Sequence, residues 1–464
     1  MDVFKVTVQR VARWQQEQIG ISTGLHQELG LVSGDYVILK LGRWRKKVRW
    51  VTTVSNNSYQ ISLSGRLIQE TGLVPGWEIK VRYYPESNVL AIGPMMGIFA
   101  MIKHKNNGIS FGEQGLFFRE LAAASRSSGV LLYVFSSADI NWLNGRIEGY
   151  VHQPGPGRGQ WIKGSFPFPN AIYDRIISWH LAPEDYEAKC RLRSLQGIIM
   201  FNPHMGDKWH FHTILAGERE IASFLPETQN FVARNGLAEW FKHFSEIYIK
   251  PRLGSQGKGI IKINRFGKKG YLFQLVQQRG QQMKVVFPTL QQLEKGILNI
   301  INGKRCLIQQ GLALALWQGR VFDIRVLTQK NGQGIWMVTG MACRIGKKES
   351  IVSNVHGGGR AVTVDTVLGQ LFGRKPGMVR HILNQVKSLS IKVSEKIEQY
   401  HGLVGELGID VGVDKNGGVW LIEVNPKPGR SVFRRLGDIA ARKRAVDNPV
   451  AYINYLSGFD YSGK

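Results

Sequence analysis

Gly408-Ile-Asp-Val-Gly-Val-Asp-Lys-Asn-Gly-Gly-Val-Trp-Leu-Ile-Glu-Val-Asn-Pro426 holds two β-prone runs on either side of Asn416-Gly417, the favoured pair for a two-residue hairpin turn. With that turn, Asp410 falls directly opposite Glu423, and opposed residues have Cβ atoms about 5 Å apart. Asn425 lies two residues beyond Glu423 and shares its face, because strand side chains alternate. Two carboxylates and an amide oxygen then converge. Their repulsion raises one pKa unless a cation lies between them. Oxygen-only ligands suit Mg2+, which takes one or two carboxylates together with substrate phosphates. The alternative is a hairpin whose acids face water.

Upstream, Ile247-Tyr-Ile-Lys-Pro-Arg-Leu-Gly-Ser-Gln-Gly-Lys-Gly-Ile260 reads as a strand ending at Lys250-Pro251, then a loop carrying Gly254, Gly257 and Gly259. Glycines let backbone N–H groups approach an anion closely and form a nest. Lys250 sets a point charge beside them. No helix-opening Gly-Lys-Ser/Thr follows, and the spacing is not GxGxxG. Both standard nucleotide loops are therefore excluded, and an ordinary hairpin turn stays open as the alternative. Between these two stretches lie Arg320-Val-Phe-Asp-Ile-Arg-Val-Leu327, Met341-Ala-Cys-Arg344 and Ser353-Asn-Val-His-Gly-Gly-Gly359. Asp323 and Arg325 alternate with apolar residues and share one strand face. Arg344 ends another strand. An arginine aimed at phosphates can stabilise a transferring phosphoryl group; surface ion pairs on an exposed sheet face are the alternative.

The N-terminal region repeats itself. Ile21-Ser-Thr-Gly-Leu-His-Gln-Glu-Leu-Gly-Leu-Val-Ser-Gly34 returns as Leu63-Ser-Gly-Arg-Leu-Ile-Gln-Glu-Thr-Gly-Leu-Val-Pro-Gly76. Each copy reads as a short helix ending at Gly, a turn, and an alternating strand (Tyr36–Leu41 and Glu78–Tyr83). Two copies are too few for a solenoid, but they can build a small pseudo-twofold β-barrel over residues 1–88. A second region, 89–205, begins with a buried strand and turn at Leu90–Ala100. A helical period over Leu116–Ser127, a strand at Val130–Phe135, a Gly/Pro-rich loop over 152–170 and a strand from Ala171 follow. This order predicts a small α/β domain with a partly parallel sheet. From residue 206 to 464 the texture is strands, glycine loops and polar pairs.

The 464 residues carry 61 Lys plus Arg against 34 Asp plus Glu, a formal charge of +27. An excess of this size points to an anionic partner: nucleotide, nucleic acid, acidic polymer or acidic assembly. Charge alone is the whole case for nucleic acid, which is not the expected partner. Cys190, Cys306 and Cys343 are too far apart for a disulfide framework or structural zinc, so reduced, buried thiols are expected. His204, His210 and His212 lack ligand spacing and read as loop or core residues. No apolar window approaches the roughly 18 residues of a membrane span, and the start lacks a positively charged segment followed by an apolar core. The default expectation is a cytoplasmic protein without a membrane partner.

Taken in order, the Lys-Pro and glycine loop, Asp-Ile-Arg, Arg344, Asn-x-x-x-Gly-Gly, Asp410 and Glu-x-Asn-x-x-Pro-Gly resemble the ATP-grasp superfamily, as in ribosomal-protein glutamate ligases and glutathione-synthetase-like enzymes. The chain resembles more closely the YheC/YheD-type endospore coat-associated proteins, through Tyr173-Asp-Arg175, Leu225-Pro-Glu-Thr228, Gln309-Gln-Gly-Leu312, Phe322–Lys330, Gly334-Ile-Trp336 and Val419–Arg430. The resemblance covers the whole chain and is most specific in its C-terminal half.

This resemblance implies an α+β, ATP-grasp fold of two α+β subdomains, preceded by the small α/β domain and the barrel. It implies ATP, with Mg2+ or Mn2+, as cofactors. Lys208 and Lys250 would meet the phosphates and the adenine side, with Gly254, Ser255, Gly257 and Gly259 in a mobile phosphate lid. Gln309, Gln310 and Asp323 would belong to the nucleotide site. Asp410, Glu423 and Asn425 would hold the metal, Arg344 would face the γ-phosphate, and Arg325 and Asn354 would shape the acceptor side. The family's hinge often carries acids where this chain has Gln309-Gln310 followed by Leu312-Ala-Leu-Ala-Leu-Trp317. The implied reaction activates a carboxylate as an acyl phosphate for attack by an amine or thiol, on a peptide, amino acid or acidic polymer during spore formation. Spore-coat proteins would be partners. The other reading is an ATP-binding assembly protein of the coat that does not turn nucleotide over.

Overall fold

The structure, a computed structural model, describes residues 2–14, 17–31, 36–54, 59–106, 108–177, 181–232, 236–254, 257–277, 281–353 and 359–460. The chain forms two compact units. One comprises Met1–His204, Lys330–Ile335 and Val446–Lys464, and the other Met205–Gln329 and Trp336–Ala445. Residues 330–335 and 446–460 thus pack with the N-terminal regions, not with the C-terminal domain to which the sequence assigns them. Apolar side chains explain the C-terminal part. Val446, Val450, Tyr452 and Ile453 join the core formed by Phe118, Leu121 and Tyr173.

The repeat builds a closed seven-stranded barrel. Strands Val3–Val11, Gln18–Ser22 and Tyr36–Leu41 correspond to Trp44–Thr53, Gln60–Ser64 and Glu78–Tyr84. Each half covers the other. Val3–Val11 pairs in parallel with Gln60–Ser64, and Gln18–Ser22 does the same with Trp44–Thr53. The seventh strand, Val89–Gly93, lies between Tyr36–Leu41 and Glu78–Tyr84. It therefore belongs to the barrel and not to the second region. The buried stretch at Leu90–Ala100 is two strands, Val89–Gly93 and Met95–Phe99, that serve different sheets.

Met95–Phe99 runs parallel to Leu131–Phe135 and Ala171–Asp174, which is parallel in turn to Ile199–Phe201. This is the expected partly parallel sheet, with helix Gly115–Ser127 contributing Phe118 and Leu121 to its core. The stretch 152–170 is not a single loop. Arg146–Gln153 and Gln160–Pro167 form an antiparallel hairpin, and only its Gly/Pro-rich tip lacks strand structure. Cys306 and Cys343 are buried as expected, but Cys190 is exposed, because its position on helix Pro183–Ser194 faces away from the buried Ala188 and Leu192.

The second unit holds two sheets. One, in the order Thr228–Asn230, Cys306–Gln310, Glu246–Pro251, Ile261–Arg265, Tyr271–Val276 and Gln282–Phe287, packs on Leu237, Trp240 and Phe241 of helix Gly236–His243 and on Leu293 and Ile297 of helix Leu290–Ile301. The other runs Arg360–Val362, Trp336–Ile345, Arg320–Lys330, Glu406–Val413 and Val419–Asn425. Helix Met378–His401 places Ile382, Val386, Leu389, Val393 and Ile397 against it, a stripe at helical spacing. No described helix is long and apolar enough to cross a membrane.

The two repeat helices end on left-handed glycines in different surroundings. Gly30 (φ 57°) has open space where a Cβ would sit, whereas a Cβ on Gly72 (φ 70°) would lie 2.5 Å from the Phe166 ring. Gly30→Ala is expected to cost about 1–2 kcal/mol from backbone conformation alone, and Gly72→Ala measurably more because packing is also violated. Chemical denaturation of the two variants checks this; equal losses would refute the steric account.

Candidate functional site

The C-terminal hairpin reaches the expected pairing by an unexpected route. Asp414 N–H donates to Gly418 O, so the loop is the three residues 415–417 and not the two-residue Asn416-Gly417 turn. The Asp414 carboxylate organises it, accepting from Asn416 N, Gly418 N and the Trp420 indole at 2.8, 2.9 and 3.0 Å. A register shift beyond Asp410 leaves Ile422 without an opposite residue and restores Asp410 opposite Glu423 and Gly408 opposite Asn425. The extra loop residue and the bulge cancel.

Asp410 is 3% exposed and sits among donors. Arg325, its cross-strand partner, donates from Nε to Oδ1 at 2.5 Å and from Nη2 to Oδ2 at 3.1 Å. Arg344 Nη2 lies 2.8 Å from Oδ2, and Asn425 Nδ2 donates to the same oxygen at 3.2 Å. Burial alone would raise the Asp410 pKa, but the two guanidinium groups outweigh it and hold the carboxyl below its usual range. Arg344 also grips Asp323 with two bonds of 2.6 Å, and Ser353 Oγ donates to Asp323 Oδ2. Burial opposes the Arg344 charge, but Asp323 and Asp410 raise its pKa above the ordinary arginine value. Asp323 and Arg344 are 6% and 9% exposed. These are buried, alternating charges, not ion pairs on an open sheet face. Arg344 Nη1 has no hydrogen bond among the described residues.

Glu423 stands apart from the guanidinium cluster. Its ion-pair partner is Lys208 Nζ, 3.4 Å from Oε1. Lys208 opens helix Lys208–Ala216 directly after Asp207, whose side chain caps the helix by accepting from His210 N at 3.0 Å. Asp207 is held in turn by Arg252 Nε at 2.7 Å. Lys208 Nζ also donates to Gly254 O at 2.8 Å, so one ammonium ties the glycine loop to the acid-bearing strand. Gly254, Gly257 and Gly259 take φ values of 123°, 72° and 75°, a backbone that residues with a Cβ rarely adopt.

Lys250, on Glu246–Pro251, donates to Gln309 Oε1 at 2.5 Å, and Gln309 Nε2 donates to Thr228 Oγ1 at 2.9 Å. Gln309 is therefore occupied in holding the lysine. Gln310 Oε1 accepts from Glu227 N at 3.2 Å. Burial lowers the Lys250 pKa to about 8, with Glu423 opposing and Lys208 adding to the shift. The structure thus joins Asp410, Asn425, Arg325, Asp323 and Arg344 in one bonded network, pairs Lys208 with Glu423 on the strand opposite Asp410, and holds Lys250 on Gln309. Ser255 and Asn354 lie outside the described residues. The histidines remain outside the set. His204 is in a loop, and His210 meets His401 across 3.2 Å on an exposed surface. No group of three His, Cys, Asp or Glu suited to a metal occurs among the described residues; the oxygen set here contains an amide and so falls outside that pattern.

Sequence reasoning missed five supporting residues. Thr228 orients Gln309, and Asp207 with Arg252 aims Lys208. Arg430 pairs with the fully buried Glu406, which also accepts from Gln329 Nε2 at 3.1 Å, tying the segment after Asn425 to the Asp410 strand. A polar residue directly before a helical period was the signal for Asp207; isolated Thr and Glu carry no such signal.

A family model described as YheC/D like ATP-grasp matches residues 197–456. Two similar proteins of Bacillus subtilis (strain 168) are Endospore coat-associated protein YheD, 29% identical over 79% of this chain and 79% of its own, and Endospore coat-associated protein YheC, 24% identical over 68% and 86%. Among solved structures, D-cycloserine synthetase DcsG superposes with a TM-score of 0.45 at 12% identity, covering 78% of this chain and 99% of that one.

Removing the arginine between Asp323 and Asp410 leaves two carboxylates buried without it. Arg344→Met is expected to lose about 3–5 kcal/mol of stability in urea unfolding. A loss below about 1 kcal/mol is the behaviour of exposed pairs and would contradict the buried network.

Proposed function

Because the chain belongs to the YheC/D-like ATP-grasp family, we propose that it is an ATP- and Mg2+-dependent ligase joining a carboxylate to an amine or thiol. One observation carries this reading: Lys208 pairs with the Glu423 carboxylate and holds the first glycine of the loop, and the buried Lys250 ammonium, anchored on Gln309, feels both of their charges. That is the charge layout a polyphosphate with a divalent ion requires.

The oxygen donors fit a hard cation. Asp410 Oδ1 takes only the Arg325 Nε bond among the described residues, Glu423 is partly exposed, and the Asn425 amide nitrogen faces Asp410, which leaves its oxygen for another partner. We assign the metal to Asp410, Glu423 and Asn425. Magnesium held there would neutralise the terminal phosphates and orient them. Lys208 and Lys250 bind those phosphates, and the N–H groups of 254–259, Ser255 included, close over them. Gln309 and Gln310 border the nucleotide. Gln309 acts by holding Lys250, and Asp323 by holding Arg344. Arg344 offers Nη1 to the γ-phosphate as charge develops on it. Arg325 and Asn354 shape the acceptor side. The substrate carboxylate attacks the γ-phosphorus with ADP leaving, and the amine then displaces phosphate from the acyl phosphate. By extension from the names of its relatives, we place this activity in endospore coat formation, on a peptide, amino acid or acidic polymer.

Glu423→Ala is expected to abolish Mg2+-dependent ADP release while leaving the melting temperature of the nucleotide-free protein within a few degrees, since a partly exposed surface acid contributes little. Turnover at the parental rate in this variant would discard the assignment.

Lys250 supplies a separate test. An ordinary lysine titrates near 10.4, so a folded-state value of about 8 leaves much of it neutral at pH 8.5. An arriving polyphosphate restores the charged form, and binding must take up a proton. Calorimetry of ATP binding at pH 8.5, in buffers of different ionisation heat, is expected to show this uptake in the parent and lose it in Lys250→Gln. Equal uptake in both would remove Lys250 from the phosphate site.

A further inference from the structure

The barrel's pseudo-twofold symmetry sets two outer faces side by side, and among the described residues only one is covered. The first is the pair Glu78–Tyr84 and Val3–Val11, with outward residues Lys80, Arg82, Tyr84 and Val3. The chain's own C-terminal segment lies on it. Lys80 Nζ donates to Asn454 Oδ1 at 2.6 Å and to Phe459 O at 3.1 Å, and Arg82 Nη1 donates to Gly458 O at 2.6 Å. Phe459 packs against Val3, Ala91 and Tyr84. This face holds a polypeptide through cations on its carbonyls and one inserted aromatic ring.

The twofold mate is the pair Tyr36–Leu41 and Trp44–Thr53. Its inward residues, Val37, Leu39 and Val48, fill the barrel. Its outward residues form three cross-strand pairs: Tyr36 with Arg49, Ile38 with Lys47, and Lys40 with Arg45. Arg43 stands in the turn. Arg45, Lys47, Arg49 and Arg43 are exposed, and Tyr36 is 50% exposed with Lys47 over its ring at 4.8 Å. None of these cations has an ion pair among the described residues. In contrast, the inward-leaning Lys46 takes both Glu17 and Glu70, and on the first face Lys5 takes Glu78. Lys40 opposite Arg45 is a like-charge pair that works against strand pairing; burial and Arg45 lower the Lys40 pKa accordingly. The two faces are continuous, since Ala91 pairs with both Lys40 and Arg82.

We propose that the outer face of the Tyr36–Leu41 and Trp44–Thr53 hairpin docks an acidic polypeptide segment from a partner. The occupied mate argues for a polypeptide. The unpaired cations argue for acidic side chains, because alternate strand residues stand about 6.6 Å apart, the spacing of alternate carboxylates on an extended peptide. Tyr36 and Ile38 offer the apolar contact that Val3 and Ala91 give Phe459. This surface goes beyond the ligase reading and does not depend on it.

The test uses the full chain and a fluorescent extended peptide of alternating Glu and Gly with one Phe, and single-stranded DNA of equal charge as the competitor class. Anisotropy is expected to show peptide binding that weakens with salt. Arg45→Glu/Lys47→Glu/Arg49→Glu should weaken it about tenfold or more, which is 1.4 kcal/mol. The same variant must keep the parental melting curve and its nucleotide-induced shift, so a folding failure is visible. Tyr36→Ala, which leaves all charges in place, should weaken binding less and independently of salt. Peptide binding that is absent, or unchanged in the triple variant, overturns the proposal, as does tighter binding of the DNA through the same three residues.

Discussion

A carboxylate clamped between two guanidinium groups organises the second unit. Asp410 cannot be buried as an anion without compensation, and the compensation comes from two other strands. Arg325 stands beside it across the ladder, and Arg344 reaches it from Trp336–Ile345 while gripping Asp323. The three central strands are thereby locked by charge as well as by backbone bonds. The clamp also orients Asn425, whose amide nitrogen is drawn to Asp410. Arg430 and Glu406 repeat the device at the far end of the same strand. A buried pair contributes little net stability over an apolar core; its return is a fixed arrangement of charges.

That arrangement leaves positive charge unspent where the glycine loop arrives. Asp410 is neutralised more than once, whereas Glu423 faces Lys208 at a length that marks a loose pair. Lys208 divides its donors between Glu423 and Gly254 O. Lys250 is anchored by Gln309, a neutral acceptor, so its charge is desolvated without being cancelled. Two ammonium groups are thus kept near one another at an electrostatic cost, which a bound anion would relieve. On the proposed reading, ligand affinity would be linked to protonation at Lys250, because an anion favours the charged form that burial disfavours.

Much of this was legible in sequence because it depends on period-two alternation. Asp323 with Arg325, and Glu423 with Asn425, must share a face whatever the register. The Asp410–Glu423 pairing was correct through two compensating departures. Asp414, as an acceptor for the turn's N–H groups, favoured a three-residue loop over the two-residue Asn-Gly turn, and the bulge at Ile422 returned the register. Alternation cannot reveal such pairs of shifts. Likewise, Arg344 reads as a surface cation until the strand order shows two acids waiting for it. The boundary near residue 89 failed because a continuous apolar run serves two sheets; only Gly93-Pro94 interrupts it. The duplicated barrel was the easier case, since each half repeats a helix, a glycine stop and an alternating strand.

The duplication also bears on where the charge of +27 resides. Had the excess been only a solubilising coat, the two barrel faces would be expected to dilute their cations alike. They do not. One copy spends Lys80 and Arg82 on backbone carbonyls of the chain's end and matches Lys5 with Glu78. The other keeps Arg45, Lys47 and Arg49 in a row and, among the described residues, pairs only the lysine that leans inward. The two outer faces share a scaffold and a strand, yet differ in the acids and carbonyls set against their cations. That difference is what a surface whose counter-charge comes from a partner would show, as the docking proposal requires.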